Sequence, residues 1–334
     1  MRPTIRDVAK KLNLSITTVS RALDGYDDVA EETRQLVIET ARKLGYTPNR
    51  AARQLRRKKA ETVGFILPAG AQHFAEPFFT EFIAGLGNEL APRNYDLLVS
   101  AVASEADEHE MYQRWAEGGK VDGFILNRLR VKDWRVKFLT RQRIPFATLD
   151  YSGEGRYPCI RVDGAEGHMH LVRHISENGF QKFAFIGGPS NLVSQAERLD
   201  WFCQAIKANK LQLIENFILS ADLTSTGGYQ SAIELLNLPD PPDAILCVND
   251  ETAFGVLHAV HKHGLEIGKD LAVAGFDGIQ EAKHTEPPLT TLDIPVFDIA
   301  RQLVDMLLKT IAREEVMTPV FIQPALLVRQ STGS

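Results

Sequence analysis

Residues 4–23 read TIRDVAKKLNLSITTVSRAL, and this stretch decides the fold of the N-terminal part of the chain. Thr4 and Asp7 have the spacing of a capping box, and the apolar residues that follow recur at helical spacing. Ser15 is a good N-cap for a second helix at about 16–23. Because only a two-residue break separates the two segments, the pattern predicts a helix-turn-helix.

A third helix completes this small unit. The Asp-Gly pair at 24–25 ends the second helix, since Gly readily takes the left-handed conformation that follows a helix. Residues 31–44 form the next amphipathic stretch, with Leu36, Val37 and Ala41 among the side chains expected to face inward, and Gly45 ends it. Three short helices around so few apolar residues make a small core.

The polar face of the second helix carries side chains that can read DNA bases. Ile16, Thr17 and Arg21 fall together on it. An Arg can pair bidentately with guanine O6 and N7, and an Ile or a Thr methyl can contact the thymine methyl. The face therefore suits a major groove. The alternative is an ordinary three-helix domain whose Arg21 points into water.

The charge of the chain is unevenly divided. Residues 1–59 hold 14 Lys and Arg against seven Asp and Glu, a net charge of +7. The remainder holds 24 basic and 36 acidic residues, a net charge of −12. A basic head on an acidic body is expected if only the head meets a polyanion. A solvated basic surface is the alternative.

A basic segment follows the third helix. Pro48 favours extended backbone before it, and Asn49 can cap the stretch RAARQLRR at 50–57. Such a stretch is a marginal helix by itself. If two copies packed through their alanines on DNA, the Arg side chains would neutralise phosphates and Leu55 would wedge into a minor-groove step. A flexible linker is the alternative.

From residue 61 onward, short apolar runs alternate with amphipathic stretches, which is typical of βα units and a parallel sheet. The strands of a first half are predicted at 63–67, 96–100, 123–126 and 145–149, and those of a second half from Ile160 and at 183–186, 244–248 and 271–276. After 287–292 a helix at about 296–312 and a strand near 319–322 remain. The chain thus returns, and the cleft between the halves becomes a hinge.

Ligands of doubly wound sheets lie beyond the carboxyl ends of the strands. The polar and aromatic residues expected there or nearby are Phe78, Phe79, Asp150, Tyr151, Arg198, Asn249, Asp250 and Asp277. Carboxylates, an amide, a guanidinium and aromatic rings suit a polyol, through in-plane hydrogen bonds and stacking. Each also has a plainer interpretation: Asp250 as a helix cap, the two Phe residues as core, and Asp277 as a turn residue.

Four ordered motifs resemble the headpiece and hinge of the lactose-repressor (LacI/GalR) family. They are TIRDVA at 4–9, TVSRAL at 18–23, LGYTPN at 44–49 and AARQL at 51–55. The resemblance extends over the body, most clearly at AVAGFD (272–277) and PLTTL (288–292), so it covers nearly the whole chain. One departure is Ala30, where the family usually has a Ser or Thr cap, and Asp28 is expected to substitute.

The resemblance implies an all-α helix-turn-helix headpiece and an α/β, periplasmic-binding-protein-like body with two doubly wound parallel-sheet subdomains. The implied domains are a headpiece at 1–46, a hinge helix or linker at 47–60, and an effector-binding body at 61–334, with an N-subdomain at about 61–158 plus 293–318 and a C-subdomain at about 159–288 plus 322–334. The implied function is a repressor that binds a near-palindromic operator in double-stranded DNA as a homodimer, a tetramer being the alternative, under allosteric control by a sugar.

Carried over residue by residue, the resemblance implies two sets of binding residues. The DNA-binding set is Thr4, Ser15, Ile16, Thr17, Thr18, Ser20, Arg21, Asn49, Ala52, Arg53, Leu55 and Arg56. The effector-binding set is Phe78, Phe79, Asp150, Tyr151, Arg198, Leu223, Asn249 and Asp277, with Leu223 at a place often aromatic in relatives. The stretch FAEPFF at 74–79 is most similar to members that sense glucosides, which favours an α-glucoside as effector.

Other functional classes fit the sequence less well. A hydrolase is disfavoured because there is no nucleophile elbow, phosphate loop or paired acidic motif, and no cofactor or metal site is expected, since the three cysteines have no metal-ligand spacing. A transport-associated binding protein would share the body. However, residues 1–7 lack the pattern of a secretory signal, and no apolar run approaches the length of a membrane helix. The sequence therefore predicts a cytoplasmic protein without membrane contact.

Overall fold

The computed structural model describes residues 3–47, 59–67 and 76–333. The chain divides into two compact units, Met1–Glu61 and Thr62–Ser334, called here the headpiece unit and the body. Within the headpiece unit, helices α1 (Ile5–Leu12), α2 (Ile16–Leu23) and α3 (Glu31–Lys43) agree with the predicted helices.

The predicted caps hold the first two helices of the headpiece. The N–H and the hydroxyl of Thr4 both donate to the Asp7 carboxylate at 2.8 Å. This backbone hydrogen bond is the main reason that the pKa of Asp7 lies below its ordinary value. Ser15 Oγ accepts a hydrogen bond from the N–H of Thr18 at 3.0 Å. These bonds satisfy polar groups that each helix start would otherwise leave unpaired.

The headpiece core differs from the prediction in α3. Val37 and Ala41, one helical turn apart, are buried, whereas Leu36 is 52% exposed because it lies about 100° around the helix from Val37. The Asp28 cap was also wrong. Ala30 occupies the N-cap position without a side-chain bond, and Asp28 pairs with Arg21 instead.

The body consists of two six-stranded sheets with helices. Its strands are β1 (Thr62–Leu67), β2 (Asp96–Ala101), β3 (Gly123–Leu126), β4 (Phe146–Leu149), β5 (Cys159–Val162), β6 (Phe183–Gly187), β7 (Ile218–Ser220), β8 (Ala244–Cys247), β9 (Ala272–Asp277), β10 (Thr290–Asp293), β11 (Val320–Ile322) and β12 (Ala325–Leu327). Its helices are α4 (Pro77–Leu90), α5 (Glu105–Glu117), α6 (Trp134–Gln142), α7 (Ala165–Glu177), α8 (Val193–Ala208), α9 (Ser225–Leu236), α10 (Asp250–Lys262) and α11 (Val296–Ala312). Short 3₁₀ turns lie at Ala91–Arg93, Glu215–Phe217, Gln280–Lys283 and Gln330–Thr332.

The first sheet has the strand order β11-β5-β4-β3-β1-β2, and the second has the order β12-β10-β9-β8-β6-β7. Neighbouring strands pair in parallel, apart from β12, which runs antiparallel to β10. We call the two sheets with their helices the first and second subdomains. The chain passes between them after β5, after β10 and after β11, so three connections form the hinge.

The predicted boundary between the halves lies one strand too early. The strand that begins the second predicted series is β5, and it pairs with β4 and β11 in the first sheet. The predicted N-subdomain segment 293–318 likewise stops short of β11. Apolar pattern alone does not reveal which of two similar sheets a strand joins, because a buried parallel strand reads the same in either.

Candidate functional site

The exposed face of α2 has the side chains expected of a base-reading helix. Ile16 is 47% exposed, and Thr17 and Arg21 are exposed beside it. An exposed Ile at the start of a short helix has no role in the core formed by Val19 and Ala22. The three predicted base-reading residues therefore share one accessible surface.

Several predicted DNA-binding residues have structural contacts of their own. The hydroxyls of Ser15 and Thr18 bond each other at 2.8 Å, and Thr4 belongs to the capping box. Ser20 is 4% exposed and its hydroxyl donates to Asp24 at 3.4 Å, so it does not share the exposed face. Ser20 turns inward because it lies next to Val19 and one turn before Leu23 on the core side of α2.

Arg21 is held by two neighbours. Its Nε donates to Asp28 Oδ1 at 3.1 Å, and its Nη2 pairs with Asp28 Oδ2. The guanidinium also lies over the ring of Tyr26, with 5.1 Å between the guanidinium carbon and the ring centroid. Asp28 therefore occupies the Nε and Nη2 edge of the guanidinium, while Nη1 has no hydrogen-bond partner among the described residues.

The predicted hinge contacts lie outside the described residues. They are Asn49, Ala52, Arg53, Leu55 and Arg56.

A cleft in the body lies where the carboxyl ends of both sheets meet. The polar residues that line it are Glu76, Asn127, Arg128, Asp150, Ser194, Gln195, Glu197, Arg198, Asn249 and Asp277. The apolar residues that line it are Phe78, Leu149, Val162, Leu192, Trp201, Leu223, Val248 and Ile294. Both subdomains thus contribute to one pocket, as expected of a ligand site in doubly wound sheets.

Each subdomain places one arginine–carboxylate pair in the cleft. In the first, Arg128 Nη2 pairs with Glu76 Oε2, and its guanidinium lies over the Phe79 ring. Burial lowers the pKa of Arg128, and the charge of Glu76 opposes this. In the second, Arg198 Nη2 donates to Asp277 Oδ1 at 3.0 Å. The two cleft guanidinium groups are therefore already neutralised by protein carboxylates.

Asp150 is the cleft carboxylate most affected by burial. It follows β4 with a positive φ of 75°, which is unusual for a residue other than Gly, and only 7% of it is exposed. Burial, and next the charge of Glu197, raise the pKa of Asp150 to about 7. The side chain is thus divided between its charged and neutral forms near neutral pH, ready to accept or donate a hydrogen bond.

Asn249 and Asp250 have different tasks at the start of α10. Asn249 is the N-cap: its side chain accepts from Thr252 N at 3.0 Å, and its Nδ2 donates to Leu223 O at 3.2 Å. Asp250 does not cap the helix. Its carboxylate accepts from Thr291 Oγ1 at 2.6 Å and also from the N–H of Ile279, so it holds the loop after β9.

Two predicted effector residues, Phe79 and Tyr151, are not among the residues that line the cleft. Phe79 is 1% exposed and packs against Phe65 in the first core, while Phe78 on the adjacent helical position lines the cleft. Tyr151 follows Asp150, but its hydroxyl donates to Gly155 O at 2.7 Å and its ring packs on Tyr157. Phe79 is therefore a core residue, whereas Phe78 both packs against the core and lines the cleft.

Several cleft residues were missed by the sequence analysis, although signals for them existed. Asn127 and Arg128 directly follow β3, where the rule used for Asp150 applies equally. Gln195 and Trp201 lie on α8 at three-residue spacing from Arg198, so they share its face. Glu76 is the exception, because it occupies the N-cap position of α4 and does not directly follow a predicted strand, so the strand-end rule gave no signal for it.

Among the described residues, no group of three His, Cys, Asp or Glu side chains is placed to hold a metal ion. None of the described helices is long and apolar enough to span a bilayer.

Family models match both units of the chain. Residues 4–49 match the model of bacterial regulatory proteins of the lacI family, and residues 172–332 match a periplasmic binding protein-like domain. The transcriptional regulator AglR of Rhizobium meliloti is 33% identical over 87% of this chain and 83% of its own length. The regulator CelR of Thermobifida fusca is 30% identical over 99% and 98%, and the repressor CytR of Escherichia coli is 29% identical over 91% and 89%.

Solved structures agree with these matches. A Lac repressor dimer bound to operator and the anti-inducer ONPF superposes with a TM-score of 0.85, at 26% identity, over 100% of both chains. A CelR–cellobiose complex superposes with a TM-score of 0.75, at 28% identity, over 99% of this chain and 100% of that one. These relatives are transcription regulators and not enzymes. The chain belongs to the lacI family of bacterial regulatory proteins.

Proposed function

We propose that this protein is a repressor that binds a near-palindromic DNA operator as a homodimer and that a neutral sugar in the cleft controls its affinity for DNA. The observation that carries the proposal is the pairing of an exposed base-reading face on α2 with a polar cleft between two hinged subdomains in the same chain. A tetramer of the same dimers is the alternative assembly.

The charges of the cleft favour a neutral ligand. Arg128 and Arg198 each have a carboxylate partner, Glu197 pairs with Arg161, and Asp150 adds a further acidic group. A phosphorylated sugar would bring its negative charge among these carboxylates without an unpaired cleft arginine to receive it. A neutral polyol meets acceptors for its hydroxyl groups instead.

Aromatic side chains supply the apolar part of the proposed sugar site. Trp201 and Phe78 line the cleft, and the apolar face of a sugar ring can stack on such rings. A structure of the relative CelR is a complex with cellobiose. We therefore propose a glucoside as the effector class and an α-glucoside as the first candidate.

The proposed control is a linkage between the cleft and the hinge. Sugar shifts the angle between the subdomains, which alters the distance between the two hinge segments of a dimer. If those segments separate, their helices lose mutual packing and Leu55 loses its minor-groove position. DNA affinity then falls by a coupling free energy of about 1–3 kcal/mol.

A thermal-shift panel tests the ligand class. Purified full-length protein is heated with α-glucosides, β-glucosides that include cellobiose, other neutral sugars and glucose 6-phosphate. We expect one neutral glucoside to raise the melting temperature with increasing concentration, because a ligand that binds the native state stabilises it by mass action. The bound sugar is then recovered and analysed. Stabilisation only by the phosphorylated sugar, or recovery of hydrolysed products, would contradict the proposal.

A further inference from the structure

Two loops from opposite subdomains are joined by backbone hydrogen bonds beside the cleft. One loop connects β3 to α6 in the first subdomain, and the other connects β6 to α8 in the second. The N–H of Val131 donates to Asn191 O, and the N–H of Val193 donates to Leu129 O, both at 2.9 Å. These bonds join the two subdomains, which must move apart when the cleft opens.

The two bonds form a short antiparallel bridge, with Arg130 opposite Leu192. We call residues 129–131 and 191–193 the latch. Since the bonds flank the central pair instead of joining it, this pair is of the closely spaced, non-hydrogen-bonded kind. The latch is therefore an isolated antiparallel bridge between the two subdomains. Their sheets do not otherwise pair in the described structure.

A buried ion cluster anchors the first-subdomain side of the latch. Arg135, which is fully buried, donates through Nη2 to Arg128 O at 2.9 Å. The Asp133 carboxylate accepts from the N–H of Arg130 at 2.8 Å, and Glu108 accepts from Arg130 Nη2 at 2.8 Å. Because these contacts fix the loop to its own subdomain, the loop cannot follow the other subdomain as the cleft opens.

The second-subdomain side reaches into the first subdomain. Val193 is the first residue of α8 and is 8% exposed, and it packs in the same apolar cluster as Leu129 and Phe124. Its neighbours Leu192 and Ser194 line the cleft. Opening would therefore break two backbone bonds and expose an apolar contact at the edge of the ligand site.

We propose that the latch holds the cleft closed and that it must break before a ligand enters or leaves. The latch thereby sets the ratio of closed to open cleft. Its regulatory meaning rests on the proposed function, since it controls access to the proposed sugar site. The existence of the latch does not depend on the proposed function, and it can be tested without sugar or DNA.

Val193→Pro removes one latch donor with little effect on α8. Pro is favoured at the first position of a helix, and Leu192 before it already has the extended φ of −84° and ψ of 137° that a following Pro requires. The matched control is Val193→Ala, which trims the same side chain and keeps the N–H. Hydrogen exchange is then measured at the amide of Val131, across the bridge, in the full-length protein.

We expect the Val131 amide to exchange about fivefold faster in Val193→Pro than in Val193→Ala. This factor corresponds to the net free energy that one hydrogen bond contributes to stability. Amides of β8 (Ala244–Cys247), in the second core, serve as the internal reference and should exchange alike in both variants. Equal Val131 exchange in the two variants, or an acceleration no larger than that of the β8 amides, would overturn the proposal.

A cross-link provides a second, independent test. The Cα atoms of a non-hydrogen-bonded antiparallel pair lie about 4.5 Å apart, within the range of a disulfide. Arg130→Cys with Leu192→Cys should therefore form a disulfide in the folded protein, and oxidation should slow Val131 exchange more than tenfold relative to the reduced form. Arg130→Cys alone should show no such redox response. Thiols that remain free under a mild oxidant would contradict the latch.

Discussion

At the residue scale, two neighbours set the orientation of Arg21, which is proposed to read a DNA base. Asp28 occupies the Nε and Nη2 edge of the guanidinium, and Tyr26 covers one face. The free end retains two N–H groups in the fork geometry that matches guanine O6 and N7. An exposed ion pair stabilises the fold little. Its expected contribution is therefore to orientation and not to stability.

Asp28→Asn should relax the base preference at one base pair of each half-site, by about three- to tenfold, because the guanidinium loses its fixed orientation. Arg21→Ala should abolish the preference at the same base pair. Selection of bound duplexes from a random library measures this for the full-length proteins. An unchanged preference in Asp28→Asn, in a protein whose wild type selects a clear site, would contradict the positioning role.

A second prediction at this scale concerns Asp150. Burial raises the pKa of Asp150 from 3.8 to about 7. Between about pH 4 and pH 7, Asp150 is therefore protonated in the folded body and ionised in the unfolded chain. Arg198 and Arg161 oppose this increase, while Glu197 and Asp277 add to it. The contribution of Asp150 to stability is therefore largest below pH 4 and falls as the pH rises through this window.

Relative to Asp150→Asn, the wild type should lose about 2 kcal/mol more of its free energy of unfolding between pH 5 and pH 8. Tryptophan fluorescence during urea unfolding reports on the body, since Trp115, Trp134 and Trp201 all lie within it. The raised pKa of Asp250, about 8, affects both proteins alike and cancels in the comparison. Parallel pH profiles would show that Asp150 titrates normally.

At the element scale, replacing two glycines of α4 by Ala should have opposite effects on the stability of the body. A Cβ at Gly85 would lie 2.4 Å from Phe297 O and 2.8 Å from Ala300 Cβ, on the neighbouring helix α11, whereas a Cβ at Gly87 meets nothing within 4 Å. Both lie inside a helix, where Ala is intrinsically better than Gly by about 0.5–1 kcal/mol. Helix propensity should win at Gly87, and the steric clash should win at Gly85.

Gly87→Ala should therefore stabilise the body by up to about 1 kcal/mol, and Gly85→Ala should destabilise it by about 1–3 kcal/mol. Urea unfolding followed by tryptophan fluorescence measures both. If Gly85→Ala proved as stable as Gly87→Ala, the close contact between α4 and α11 would be wrong.

The hinge segment supports a prediction that separates two kinds of DNA contact. Leu55→Ala should weaken binding to the operator without changing sugar affinity, because the proposed wedge contacts only DNA. Arg53→Ala should weaken binding to all duplexes alike and reduce the salt dependence, since it removes a phosphate contact. Titrations at several salt concentrations distinguish the two. Normal operator affinity in Leu55→Ala would refute the wedge.

The elements themselves were largely predictable from the sequence. The capping pattern of Thr4, the N-cap Ser15 and the terminating Gly45 are local signals, and the three headpiece helices follow them. In the described part of the body, nine of the twelve strands were predicted from their apolar runs, whereas β7, β10 and β12 were not. What the pattern does not contain is the partner of each strand, so β5 was assigned to the wrong sheet.

The cleft was predictable in part, for a physical reason. Asp150, Asn249 and Asp277 come at strand ends, where topology alone sends a side chain to the cleft. Adjacent aromatic residues such as Phe78 and Phe79 differ by about 100° on a helix, and only packing decides which one is buried. Contacts such as the latch depend on two loops that are distant in sequence. The sequence of neither loop indicates which loop it contacts.

At the scale of the whole molecule, the proposed base-reading face and the proposed sugar site belong to different compact units. The α2 face belongs to the headpiece unit and the cleft belongs to the body. A regulator needs the state of the cleft to change the free energy of DNA binding, and linkage requires DNA to change sugar affinity by the same factor. This reciprocity is the central claim of the proposed function.

The most direct measurement is a paired titration of the full-length protein. A duplex selected by the wild type is titrated with and without the sugar identified by thermal shift, and that sugar is titrated with and without the duplex. Each ligand is expected to change the affinity of the other by the same factor, about 5- to 150-fold. Operator affinity that is identical with and without saturating sugar would contradict it.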